Sequence, residues 1–220
     1  MATNEERSEA TRARLLAIAR KRFGTKGYAA TSVEDLVRRA GVTKGAFYHH
    51  FDDKKSVFLA VLEDAQQRLA QACVAAARGE DAWERALAGC HAFLEACTDP
   101  EIQQIILLDG PVVLGWETWR EIDYRYSLGA LEAGLRESMA AGFVRPRPTK
   151  PLAHLLFGAI CEGAMVIARA KKPREVLATV TREIDELLDG ILVPEKRRRS
   201  PEPGDRASRR SANSRRSPSR

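Results

Sequence analysis

Residues 43–54 read TKGAFYHHFDDK, a run that interleaves hydrogen-bond donors, aromatic rings and two very small residues. Thr43 is placed to cap a helix with its hydroxyl, and Lys44 then falls in the first helical turn, where free backbone N–H groups already attract anions. At about 100 degrees per residue, Phe47 and Phe51 fall one turn apart and point inward, while Gly45, Ala46 and His49 face outward with Tyr48 on the flank. Gly45 and Ala46 would let the helix backbone approach phosphates and base edges, and Lys44, Tyr48 and His49 are long enough to reach around them. The chemistry this pattern suits is recognition of double-stranded DNA.

Other chemistries find less support. Adjacent His49 and His50 diverge on a helix and cannot easily chelate one ion, and Cys90 and His91 diverge in the same way. A helical enzyme or metal protein would have to use Cys90, His91, His154 and Glu162, but no HExxH, nucleophile elbow, P-loop or dinucleotide fingerprint accompanies them. The cysteines at 73, 90, 97 and 161 lack CxxC spacing, so buried thiols are expected rather than disulfides or a metal site. Neither an enzyme activity, a cofactor nor a metal is expected.

The outward face needs elements to hold it. Thr31 followed by Glu34 reads as a capping box, so a helix is predicted to begin there, with Leu36, Val37 and Ala40 on its apolar face. Gly41 suits the left-handed residue that ends such a helix, and Thr43 starts the next. Two short helices joined by this turn make a helix-turn-helix. The span TRARLLAIARKRFGTKGYAATSVEDLVRRAGVTKGAFYHHFDDKKSVFLAVL, residues 11–62, resembles the amino-terminal domain of the tetracycline-repressor (TetR/AcrR) family of bacterial one-component regulators. Val37 departs from the pattern, which more often has alanine there. The resemblance implies that Thr31 and Ser32 hold backbone phosphates, that Lys44, Tyr48 and His49 belong to the recognition helix, and that Lys54 meets phosphate from the start of the following helix.

A chain of 220 residues has room for a small DNA-binding domain and a larger body. The net charge of +6 is unevenly spread: residues 1–55 carry plus five, 56–193 minus six, and 194–220 plus seven. This division suits a DNA-binding domain over 1–55 and a basic disordered tail over 194–220 that adds sequence-independent attraction to DNA, and the resemblance implies that residues 56–193 form a helical effector-binding and dimerisation domain. The fold class expected is all-α. Helices are predicted from Ser56 to about Ala77, then at Asp81–Cys97, Pro100–Leu108, Trp116–Ala141, Lys150–Ala170 and Pro173–Leu188. The polar start MATNEERSEATR contains no apolar run, and a cytoplasmic protein, on the nucleoid when bound to DNA, is expected.

The stretch PLAHLLFGAICEGAMVIARA is apolar nearly all round, and His154 and Glu162 interrupt it, which fits a buried helix better than a membrane span. Leu152, Leu155 and Ile160 on that helix, with the seam Val176, Val180, Ile184, Leu187 and Ile191 on the next, are expected to form a four-helix homodimer interface; an intramolecular core would use the same pattern. Trp116, Trp119, Tyr124 and Tyr126, facing Phe93, His154, Phe157, Cys161, Glu162 and Met165, could line a cavity for a small, mostly apolar effector. The function expected is sequence-specific transcriptional regulation. The resemblance further implies a repressor, released from a palindromic operator when an effector shifts the long helix that begins near Lys54.

Overall fold

The computed structural model describes residues 3–196. The basic tail expected to strengthen DNA binding falls, from residue 197 onward, outside the described residues.

Among the described residues the structure is helical, with one isolated bridge between Val144 and Leu192. Helix α1, Asn4–Lys26, is capped by Thr3 and buries Leu15, Ala19 and Phe23. The chain turns at Gly27, φ 77°, into α2, Val33–Ala40. The cap of α2 is Ser32, whose Oγ accepts the Asp35 N–H at 3.1 Å, one residue later than the predicted Thr31 start. Thr31 is instead buried, 1% exposed, and donates its hydroxyl to the Gly27 carbonyl at 2.9 Å. The turn at Gly41 is left-handed, φ 63°, as its position after the apolar stripe predicts, and Thr43 caps α3, Lys44–His50. Val37 packs into the core at this junction, and its carbonyl accepts the Val42 N–H at 3.2 Å.

Asp53 and Ser56 exchange capping hydrogen bonds at the start of α4, Lys54–Ala76, so this helix begins two residues before the predicted Ser56. Its first turns complete the core of the amino-terminal helices: the Phe58 ring stands edge-on to Phe23 and Tyr28, with centroids 5.3 and 5.2 Å away. Farther along, Leu62, Ala65, Gln66 and Leu69 are buried against the body. Helix α5 follows at Ala82–Ala96, capped by Asp81.

Two later helices contain π-helical turns. Helix α6 runs over residues 100–114, comprising Pro100–Ile102, a π segment Gln103–Asp109 and Gly110–Leu114. The predicted end at Leu108 is therefore passed. Pro111 has no N–H to offer the carbonyl of Leu107 four residues earlier, and a widened turn lets the helix continue past that gap. The Ile106 carbonyl within the π segment accepts the Trp119 indole N–H at 2.7 Å. Gly110 leaves room for that ring, since a Cβ there would lie 2.7 Å from Trp119 Cδ1. Helix α7 spans 116–140, as Trp116–Asp123, a π segment Tyr124–Leu128 and Gly129–Ala140.

Helices α8, Thr149–Arg169, and α9, Pro173–Asp189, close the fold. By length and composition α8 could cross a membrane, yet more than half of its most apolar window is buried within the protein. Gly163 permits close contact with α9, because a Cβ there would meet Val180 Cγ1 at 2.9 Å. Val180 and buried Ile184 thus pack inside the chain, where the predicted dimer seam had placed them outside. Ile160 is likewise buried.

Gly41 has no neighbouring atom within 4 Å of where a Cβ would stand, so its requirement is conformational only. Gly41→Ala should lower stability by about 1 kcal/mol and Gly41→Asn by less, measured by urea denaturation. Equal losses for the two variants would contradict this account of the turn.

Candidate nucleic-acid interface and effector cavity

The outward face of α3 follows from its inward face. Phe47 is fully buried and packs on Phe51 with ring centroids 5.9 Å apart, which fixes the rotation of the helix. Thr43, Lys44, Gly45 and His49 are then exposed, Ala46 is half-buried, and Tyr48 is 55% exposed with its ring edge-on to Phe47. All six residues predicted for this helix and its cap thus keep some exposure. His50 turns partly inward, and burial, reinforced by His49 and Arg12, pushes its imidazole below the ordinary histidine range.

Lys44 has a partner in the free protein: its Nζ stands 2.7 Å from Glu34 Oε1 across the turn. That hydrogen bond lowers the Glu34 pKa and raises that of Lys44. Asp35 anchors α2 from beneath, with Arg22 Nε at 2.7 Å, Arg38 Nη2 at 2.6 Å and Arg39 Nε at 2.9 Å. These pairs hold four arginine or lysine side chains close to the helix-turn-helix without leaving its carboxylates bare.

Two of the residues assigned to phosphate contact do different work here. The Thr31 hydroxyl is buried and engaged, so it cannot reach a phosphate; Ser32, the true cap, is exposed. The Lys54 ammonium donates to the carbonyls of Tyr28 and Thr31, both at 2.9 Å, and lies 3.9 Å from the centroid of the Tyr28 ring. Lys54 therefore ties the turn between α1 and α2 to the start of α4. Sequence spacing alone could not show that two carbonyls converge on it.

The body contains a cavity of about 350 Å³ between α4, α5 and α7, closed by Phe157 and Ile160 of α8. Of the residues predicted to line a cavity, Phe93, Tyr126 and Phe157 do so. Trp119 is core, Met165 is buried, and Trp116, His154 and Glu162 lie exposed. Tyr124 packs on His154 and Phe157, with centroids 5.0 and 5.6 Å away. Cys161 approaches Asp123 at 3.5 Å. The missed lining is mostly small residues, among them Ala70, Ala77, Ala86, Gly89, Ala133 and Gly134. Their signal in the sequence was a lack of bulk at facing positions, which is visible only once the helices are paired.

Beside the cavity lies a buried polar cluster. Asp123, 3% exposed, accepts Gln66 Nε2 and Arg120 Nη1, both at 3.2 Å. Desolvation raises its pKa despite Arg120, Gln66 and Cys161, all of which favour the charged form. Arg120 in turn lies 4.7 Å from the centroid of Tyr124 and 5.4 Å from that of Phe157. Among the described residues no cluster of three or more His, Cys, Asp or Glu side chains could hold a metal. The His91 imidazole pairs with Asp185 at 2.6 Å instead.

Comparison with known proteins agrees with this geometry. A family model described as "Bacterial regulatory proteins, tetR family" matches residues 15–61, and one described as "Tetracyclin repressor-like, C-terminal domain" matches residues 83–191. The crystal structure of a TetR-family transcriptional regulator from Pectobacterium atrosepticum is 36% identical, with a TM-score of 0.77, over 87% of this chain and 98% of that one. The TetC protein of transposon Tn10 from Escherichia coli is 25% identical over 154 residues, 70% of this chain and 78% of TetC. The transcriptional repressor AcnR of Corynebacterium glutamicum is 36% identical over 61 residues, only 28% of this chain and 32% of AcnR.

Thr31 and the exposed residues of α3 should respond differently to substitution. Thr31→Val should cost about 1 kcal/mol of stability through the orphaned Gly27 carbonyl and leave DNA affinity per folded molecule unchanged. Lys44→Ala and Tyr48→Ala should leave the melting temperature nearly unchanged and weaken operator binding about tenfold or more in gel-shift titrations, far beyond the effect of His50→Ala. A DNA-affinity loss in Thr31→Val as large as that in Tyr48→Ala would count against this division.

Proposed function

The chain belongs to the TetR family of bacterial regulatory proteins and is a DNA-binding regulator of transcription, and from that premise we propose that it is a dimeric repressor released from a palindromic operator by a small, mostly apolar effector. The observation behind this reading is the outward face of α3, on which Lys44, Tyr48 and His49 are exposed above the buried Phe47. Thr43, Lys44, Tyr48 and His49 would read base edges from the major groove, with Gly45 and Ala46 allowing close approach. Ser32 would hold a backbone phosphate at the amino end of α2, while Lys54 would position the turn and offer its remaining N–H.

One such helix reads few base pairs, so a second copy is needed to read a near-palindrome. Helix α8 leaves Leu155 74% exposed and α9 leaves Leu187 48% exposed, with Val166 also exposed and Leu152 and Ile191 half-covered. Apolar side chains this open on neighbouring helices favour a partner surface, and paired α8 and α9 helices from two copies would cover them. Ile160, Val180 and Ile184 serve the chain's own core in this arrangement.

The cavity supports the effector half of the reading. Its wall includes Ala70, Cys73, Val74 and Ala77 near the end of α4, and the beginning of the same helix holds the DNA-binding turn through Lys54. An effector that fits better with α4 displaced would weaken operator binding, and operator would weaken effector binding by the same factor. Such a regulator would act in the cytoplasm, where operator DNA is found.

Leu155→Glu combined with Leu187→Glu should give a folded monomer by light scattering and circular dichroism. Operator affinity should fall about a hundredfold or more, because the second recognition helix no longer acts at high effective concentration. Duplexes selected from a random pool by the unaltered protein should share two inverted half-sites. A double variant that remains dimeric, or selected duplexes without inverted symmetry, would overturn the dimeric reading.

A further inference from the structure

Helix α4 is one attachment of the DNA-binding domain to the body, and α6 makes a second along the last turns of α1. Glu101, in the first turn of α6, lies against the α1 backbone where Gly24 leaves room, since a Cβ there would stand 2.8 Å from Glu101 Cγ. Gln104 and Asp109 reach the turn that follows α1: a Cβ on Gly27 would stand 3.2 Å from Gln104 Nε2 and 3.4 Å from Asp109 Oδ2. The half-buried Asp109 carboxylate accepts the Tyr28 N–H at 2.7 Å. Glu101 also pairs with Arg20 at 3.2 Å, but the two side chains are 33% and 40% exposed, and ion pairs this open contribute little. A backbone N–H donated to a half-buried carboxylate is the stronger link.

Asp109 is itself held by the body. It ends the π segment Gln103–Asp109, in which the Ile106 carbonyl accepts the Trp119 indole N–H, and its neighbour Gly110 packs against Trp119 and Leu62. Tyr28 is in turn held from two helices, its N–H by Asp109 of α6 and its carbonyl by Lys54 of α4. A domain joined to a body along one helix can still swivel about that helix. A second attachment through a different helix removes the freedom, and freedom removed before binding is not lost again when DNA is bound.

We propose that Asp109 is a positioning residue for DNA recognition: through the Tyr28 N–H it fixes the angle of the DNA-binding domain on the body, and so the separation of the two recognition helices in the dimer. Without this hydrogen bond each domain would swivel on α4, and only the fraction of molecules with the right separation would fit a full operator. The assignment rests on the protein acting as a dimer on paired half-sites, and adds to that the residue that holds the pair in register.

The test compares the unaltered full chain with Asp109→Ala, which removes the acceptor, and Asp109→Asn, which keeps a neutral one. Gel-shift titrations use the duplex selected from a random pool, the same duplex with one base pair added between its half-sites, and a duplex with a single half-site. The unaltered protein should prefer the selected duplex over the lengthened one by about tenfold or more. Asp109→Ala should bind the selected duplex about tenfold more weakly and lose most of that preference. It should bind the single half-site as before, because the face of α3 is untouched. Asp109→Asn should restore most of the affinity and of the preference. Asp109→Glu, which keeps the charge but moves it by one methylene, should narrow the preference in the same direction and serves if Asp109→Ala does not fold. Equal losses on all three duplexes would overturn the proposal, since they would show damage to the DNA-binding domain itself, and so would an Asp109→Ala variant that matches the unaltered protein. An unaltered protein that is monomeric by light scattering and indifferent to half-site spacing would instead sink the dimeric reading, and the proposal with it.

Discussion

Helix α4 must belong to two cores at once, and the rest of the molecule is arranged around that requirement. Its first turns supply Val57 and Phe58 to the cluster of α1–α3, while Leu62 and Gln66 are buried farther along, Leu62 against the Gly110–Trp119 junction. Removing α4 would open both ends, since Phe23 and Tyr28 would lose the Phe58 ring and Asp123 would lose Gln66. A rigid rod shared in this way transmits displacement rather than absorbing it, because close-packed cores on either side shift as units. Lys54 sharpens the effect, as two carbonyls of the α1–α2 turn are fastened to the helix through one ammonium.

The middle of that rod is held by charge rather than by packing alone. Asp123 is a carboxylate in a site that disfavours its ionised form, and Gln66, Arg120 and Cys161 offset the penalty incompletely. The sign follows: a carboxyl whose pKa is raised by folding imposes its cost once pH climbs above the folded value, and imposes none below the unfolded value. Gln66 also keeps its Oε1 without a partner. A joint with unmet polar capacity is easier to rearrange than a fully satisfied one, and this one lies between the cavity wall and the DNA-binding turn.

Much of the motif was legible because local rules act over three or four residues. The left-handed Gly41, the Thr43 cap and the inward Phe47 and Phe51 each follow from short-range chemistry that tertiary packing did not override. The cap of α2 was misplaced by one residue because Thr31 and Ser32 are both competent, and only the burial of Thr31 against Gly27 decides between them. The cavity was legible only in outline. Aromatic residues drew attention to Trp116, Trp119 and Tyr124, yet large rings fill space, and an opening arises where facing helices present alanine and glycine. The π turns were hidden as well, although Pro111 inside an apolar run is a signal for the first of them.

The Lys44–Glu34 pair bears on how such a protein could discriminate among DNA sequences. In the free state the Lys44 ammonium is already neutralised across the helix-turn-helix, 2.7 Å from its carboxylate. Approach of DNA would exchange one anionic partner for another rather than add a new one, so this lysine contributes less to non-specific attraction than an unpaired surface cation would. Glu34 would then face phosphate without its counterion unless a base edge or a bound cation compensated. Only sequences that offered Lys44 a well-placed acceptor would repay that exchange, which would convert a general electrostatic attraction into a selective one. With so few candidate reading groups on α3, such a penalty on poor sites would add to the specificity of contacts made at good ones.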